Sequence, residues 1–104
     1  MNYPNLSKSG RVSTTRHQPR VLIVDDITKN IQLVANYLKQ AGYEINYAVS
    51  GVSALNHIDG DNFDLILLDI MMPEMDGFEV CHRLKQNPKT KDIPILFLTA
   101  KTDE

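Results

Sequence analysis

The stretch FDLILLDIMMPEMDG, Phe63 to Gly77, decides the fold. An unbroken apolar run climbs to a single aspartate, Asp69, and then breaks into Met, Pro and Gly. A short apolar run bounded by turn residues reads as a strand buried on both faces, the kind found in parallel sheets. Two more runs share the pattern: RVLIVDD from Arg20 to Asp26, and IPILFLTA from Ile93 to Ala100, where Pro94 is tolerable only near the start. Between them lie helical patterns. Ile31, Val34, Ala35, Leu38 and Ala41 fall at helical spacing, with Thr28 or Asp26 as the expected cap and Gly42 at the C-terminus. Val52, Leu55 and Ile58 give a shorter helix closed by Gly60, and Phe78, Cys81 and Leu84 line a third that ends before Asn87-Pro88. Tyr43, Ile45, Tyr47 and Val49 alternate with polar partners, as in a half-exposed edge strand. The order β-α-β-α-β-α-β predicts an α/β doubly wound parallel sheet with right-handed crossovers.

The rest of the composition narrows the class. At 104 residues the chain is one domain at most, and 42% apolar residues suffice for a core. A formal net charge of -2 gives no reason to expect nucleic acid or an anionic membrane as partner. No apolar run approaches the ~18 residues of a membrane span, and the N-terminus lacks a secretory h-region. The lone Cys81 excludes an internal disulfide and suits a reducing, cytoplasmic compartment. Met1 to Pro19, polar and aperiodic, is expected to be a disordered tail, with the domain spanning 20–104.

Parallel strands put the polar residues at their carboxyl ends on one edge of the sheet, where doubly wound folds build their sites. Asp25-Asp26, Asp69 and Thr99 should therefore meet at one mouth. Three close carboxylates repel, so one of them would tend to take up a proton. A Mg²⁺ ion would remove the conflict and screen an incoming phosphoryl group, and an aspartate could then act as the nucleophile. A lone acid at a strand end is most often a helix cap or a solvated loop residue. The combination with Asp69 and Thr99 is far more specific. Met71, Met72 and Met75 read as gap-filling side chains rather than soft ligands. His17, His57 and His82 read as surface residues, Cys81 as an inert core thiol, and KQNPKTKD as a solvated loop.

These residues resemble a known family. VLIVDD, LILLDIMMPEMDG and ILFLTA together look like the receiver domain of two-component response regulators, a flavodoxin-like fold. The resemblance implies that Asp69 accepts a phosphoryl group from a histidine kinase or phosphotransfer protein. It implies that Asp26, Asp69 and the backbone carbonyl of Met71 ligate Mg²⁺, with Asp25 acting through water. Thr99 would be the switch hydroxyl, and Pro73 and Gly77 would shape the loop after the acceptor strand. Receivers of this type continue beyond the fourth strand with further helices and a strand ending in Lys-Pro. The chain is therefore expected to be a receiver truncated after that strand, with slowed transfer and a blunted switch. Its Ile93–Ala100 edge or its bared sheet face would invite a homodimer. The alternative function is a phosphorylation-independent interaction module. An aspartate-nucleophile phosphatase would want a second acid where Met71 stands, so an enzyme is not expected.

Overall fold

The computed structural model describes residues 18–98. In that span β1 (Arg20–Val24), α1 (Thr28–Gln40), β2 (Glu44–Ala48), α2 (Gly51–Gly60), β3 (Leu65–Asp69), α3 (Gly77–Gln86) and β4 (Ile95–Leu98) alternate as expected. The four strands form one parallel sheet in the order β2-β1-β3-β4. Strand order reverses between β1 and β3, because the chain steps outward to β2 and then returns across β1. That reversal opens a crevice at the carboxyl ends of the two central strands.

Each face of the sheet has its own core. Leu22, Val24, Ile66 and Leu68 turn toward α2 and α3, where Ala54, Ile58, Val80 and Leu84 meet them. Val21, Ile23 and Leu67 turn the other way, onto Ile31 and Ala35 of α1. Both central strands are thus buried on both sides, which explains their lack of polar alternation.

Several helix details differ from the sequence reading. Neither Thr28 nor Asp26 caps α1; its N-cap residue is Ile27, with no side-chain cap. On α2 the buried positions are Gly51, Ala54 and Ile58, while Val52 is exposed. On α3 they are Gly77, Val80 and Leu84, while Phe78 is exposed and Cys81 is only partly buried against the core. Small residues stand where the chain approaches most tightly: Gly51 against Val80 of α3 and Met75 before it, and Gly77 against the backbone of Asp69 and Ile70. Large apolar residues were displaced to the rim. Phe78 still finds a partner, with its ring centroid 5.3 Å from that of Phe97 on β4.

The outer strands also depart from simple patterns. On β2 burial does not alternate: Glu44, Ile45 and Asn46 are all half-buried, Tyr47 is exposed and the buried residue is Ala48. Among the described residues β4 lies at the edge of the sheet, as expected, but its apolar run is not buried, with Leu96 58% exposed. Gln18 and Pro19, placed in the tail by the sequence reading, are tied to the sheet: Gln18 Nε2 donates to Gly42 O and Glu44 N donates to Pro19 O.

The loop before β4 is better anchored than its composition suggests. Thr90 is buried, and its hydroxyl donates to Leu84 O at 2.6 Å, while Lys85 Nζ reaches Lys91 O and Ile93 O. Without the hydroxyl the Leu84 carbonyl keeps only the longer bond from Asn87 N at 3.3 Å. Thr90→Val should therefore cost about 1 kcal/mol in urea unfolding despite its matched shape; an unchanged midpoint would show that the loop repacks freely.

Candidate functional site

β1 and β3 are register-paired neighbours, with Val24 opposite Leu68, so the residues that follow each strand emerge side by side. One carboxylate oxygen from each of Asp25, Asp26 and Asp69 lies within 4.8 Å of the others. The expected gathering of these three acids is present. Thr99, the hydroxyl expected to join them, lies outside the described residues.

The three acids sit in different surroundings. Asp25 and Asp69 are buried, whereas Asp26 is exposed at the mouth. Both Asp25 oxygens accept hydrogen bonds: Oδ1 from Ile27 N at 2.9 Å and Oδ2 from the side-chain amide of Asn30 at 3.2 Å. The Asp25 carboxylate thereby closes the β1–α1 turn through the N–H of Ile27, the N-cap residue of α1. Asn30 was not singled out from sequence. Its signal was an asparagine in the first turn of a helix just after an acidic pair, where its weak helix propensity needs a compensating contact.

Asp69 accepts from Met71 N at 3.3 Å. Burial nonetheless pushes its carboxyl up to about 6; the charge of Asp25 adds to the rise, the Met71 N–H opposes it, and contact with Asp26 raises it further. Below about pH 6 a proton is therefore held at Asp69, mainly because the carboxyl is buried and further because its acidic neighbours repel its charge.

The sign of this shift gives a pH dependence for the metal-free chain. The folded state binds the Asp69 proton more tightly than the unfolded state, so the associated stability is complete below about pH 4 and is lost as pH rises through about 6. Asp69→Asn keeps the shape without the charge. It should unfold with nearly wild-type free energy at about pH 4 and be more stable than wild type by ~2 kcal/mol at about pH 7. Added Mg²⁺ should narrow the gap, and a difference that does not change with pH would contradict the assignment.

The loop after Asp69 is tightly constrained. Met75 N donates to Pro73 O at 2.8 Å, closing a three-residue turn around Glu74, whose φ of 69° lies in the left-handed region. Asp76 then caps α3 by accepting from Glu79 N at 2.9 Å, and Gly77 N donates to Ile70 O at 2.9 Å. Pro73 and Gly77 thus sit at the two anchor points of this loop. Of the three methionines, Met72 is in the core and Met75 packs on it, but Met71 is 66% exposed and fills no gap.

The donor set suits a hard divalent ion. Three carboxylates with one oxygen each within 4.8 Å of the others match the preference of Mg²⁺ for a few anionic oxygens plus water and phosphate oxygens.

Comparison with known proteins agrees with this arrangement. A family model described as the response regulator receiver domain matches residues 21–104. The response regulator PleD of Caulobacter vibrioides is 47% identical over 81 residues, which cover 78% of this chain and 18% of PleD. The chain therefore spans less than a fifth of that relative. Among solved structures, the N-terminal domain of a response regulator receiver protein from Methanoculleus marisnigri is similar at 41% identity and a TM-score of 0.76, over 82% of this chain and 69% of that one. The response regulator protein TrrA of Thermotoga maritima, solved in complex with Mg(2+)-BeF, is similar at 39% identity and a TM-score of 0.74, over 81% and 71%. No helix among the described residues is long and apolar enough to cross a membrane.

Proposed function

The chain belongs to the response regulator receiver domain family, and from that premise we propose that it is a phosphoacceptor module in which Asp69 takes a phosphoryl group from the phosphohistidine of a histidine kinase or phosphotransfer protein. The observation that carries this reading is the meeting of Asp25, Asp26 and Asp69 at the end of the acceptor strand, with one ligand oxygen from each within 4.8 Å of the others.

Mg²⁺, held by Asp26, Asp69 and the carbonyl of Met71 with Asp25 acting through water, would supply the positive charge that offsets both the crowded acids and the phosphoryl oxygens. The chain's own residues do the remaining work. Asp69 must be ionised to attack, and Met71 N–H steadies one of its oxygens. In the transfer an Asp69 oxygen forms a bond to phosphorus as the bond from phosphorus to the donor histidine nitrogen breaks. That nitrogen keeps the electron pair and is neutralised by a proton. Alignment and charge cancellation are the main demands of such a transfer, and a rim of fixed carboxylates can meet both. Thr99 is assigned the phosphoryl-sensing hydroxyl, and Pro73 and Gly77 the support of the loop.

Incubating the chain with acetyl phosphate and Mg²⁺, followed by peptide mass spectrometry, tests the reading. One phosphoryl group should appear on Asp69, and chelating the metal should prevent it. A chain that binds Mg²⁺ but is never labelled would instead be an interaction module that keeps the fold without the transfer.

A further inference from the structure

The β1–α1 turn is held from within by Asp25, whose two oxygens take Ile27 N–H at one end and the Asn30 side-chain amide at the other. Between those two anchors lies Asp26, the exposed acid of the mouth. Nothing else in the first turn of α1 performs this task, because the helix has no side-chain cap and no acidic residue there. Asn30 itself is exposed. Its amide has no core to fill, and its side chain donates to Asp25.

We propose that Asn30 is a positioning residue for the cation site: it fixes the Asp25 carboxylate, and through the turn that Asp25 closes it sets where Asp26 meets Asp69. The inference rests on the metal reading above. Two physical consequences follow from this geometry. A neutral donor on Oδ2 orients the buried carboxylate without competing for the ion's charge, as a lysine in the same place would. It also leaves each Asp25 oxygen with a lone pair for a metal-bound water, since each accepts one protein donor. Partners one shell out from a metal commonly change its affinity by about 10–100-fold; Asp25, acting through water, stands at that distance, so Asn30, bonded to Asp25 at 3.2 Å, should change it by about tenfold at most.

The test is calorimetric titration of the full chain with MgCl₂, run on wild type, Asn30→Ala, Asp25→Asn and the double variant, with thermal unfolding of each in the absence of metal. Asn30→Ala should weaken Mg²⁺ binding about tenfold while its metal-free unfolding midpoint stays near that of wild type. In the Asp25→Asn background the same substitution should weaken binding no further, since the coupling runs through Asp25. Asn30→Gln, which keeps the donor on a longer arm, should recover part of the affinity, and it serves as the readout if the alanine variant folds poorly. Affinity within about twofold of wild type for both variants, or an undiminished loss in the Asp25→Asn background, would overturn the proposal and leave the metal reading intact. Failure of the wild-type chain to bind Mg²⁺ at millimolar concentration would overturn both.

Discussion

Asp69→Asn is expected to abolish phosphoryl labelling outright, the largest effect any single replacement in the molecule should have. The carboxamide has no anionic oxygen to attack phosphorus, and an acyl phosphate cannot form on it. The two neighbouring acids are poor substitutes. Asp25 is buried with both oxygens engaged by Ile27 and Asn30. Asp26 is exposed at the mouth and lacks the backbone N–H that Met71 gives Asp69. The loss cannot be blamed on unfolding, because removing a buried charge whose pKa has risen to about 6 relieves strain at neutral pH. Intact-mass spectra after acetyl phosphate and Mg²⁺ should show no phosphoryl adduct on the variant and one on wild type. Equal labelling of both would place the acceptor elsewhere.

Gly77→Ala should be the most damaging change to the fold. A Cβ at this position would sit 2.3 Å from Asp69 O, 2.9 Å from Ile70 Cα and 3.0 Å from Asp69 C. All three are backbone atoms of the acceptor strand and its exit, so no flexible side chain can yield. Glycine is needed here for space. Gly42, by contrast, has open space around it and a φ of 96°, so conformation is what it supplies. Either α3 must start later or the end of β3 must move, and overpacking of this severity costs about 3 kcal/mol or more. That is a large share of the ~5–15 kcal/mol of a typical domain. Gly60→Ala, with nothing within 4 Å of the new Cβ, is the matched control and should be neutral or slightly stabilising. Urea unfolding of the two variants compares them directly, and similar midpoints would show that α3 slides away from the strand at little cost.

The parts of the fold legible in the sequence were those fixed by burial on two sides. RVLIV and LILLD are apolar throughout because helices cover both faces of β1 and β3, and both were placed correctly. On α2 and α3 the expected Leu55, Ile58, Cys81 and Leu84 do pack on the core, and only the first position of each stripe fails, for a physical reason. Apolar bulk marks Val52 and Phe78, but the closest contacts belong to Gly51, Ala54 and Gly77, whose value is that they are small. ILFLTA reads as a buried run by composition alone, yet the described part of β4 carries exposed Leu96 and Phe97; that it forms the sheet edge followed from the resemblance, which places no later strand beside it in this chain.

At the site, the meeting of Asp25, Asp26 and Asp69 followed from strand direction alone. Their unequal burial did not, nor did the contact from Asn30 to Asp25, because both depend on how one turn closes. A helix cap was expected of Asp26; the structure instead gives Asp25 a bond to the N–H of Ile27, two residues on, a local choice that sequence spacing does not distinguish.

The pairing of Val24 with Leu68 acts like a vernier for the whole mouth. If the two central ribbons slipped by one notch, Asp69 would shift by ~3.3 Å and its carboxylate would swing to the opposite side of the pleat. The apolar teeth of Leu22, Val24, Ile66 and Leu68 on one side and Val21, Ile23 and Leu67 on the other forbid that slip, since it would turn each set toward the wrong layer. Trimming those teeth, far from any acid, should blur the spacing of the carboxylates before it unfolds the chain.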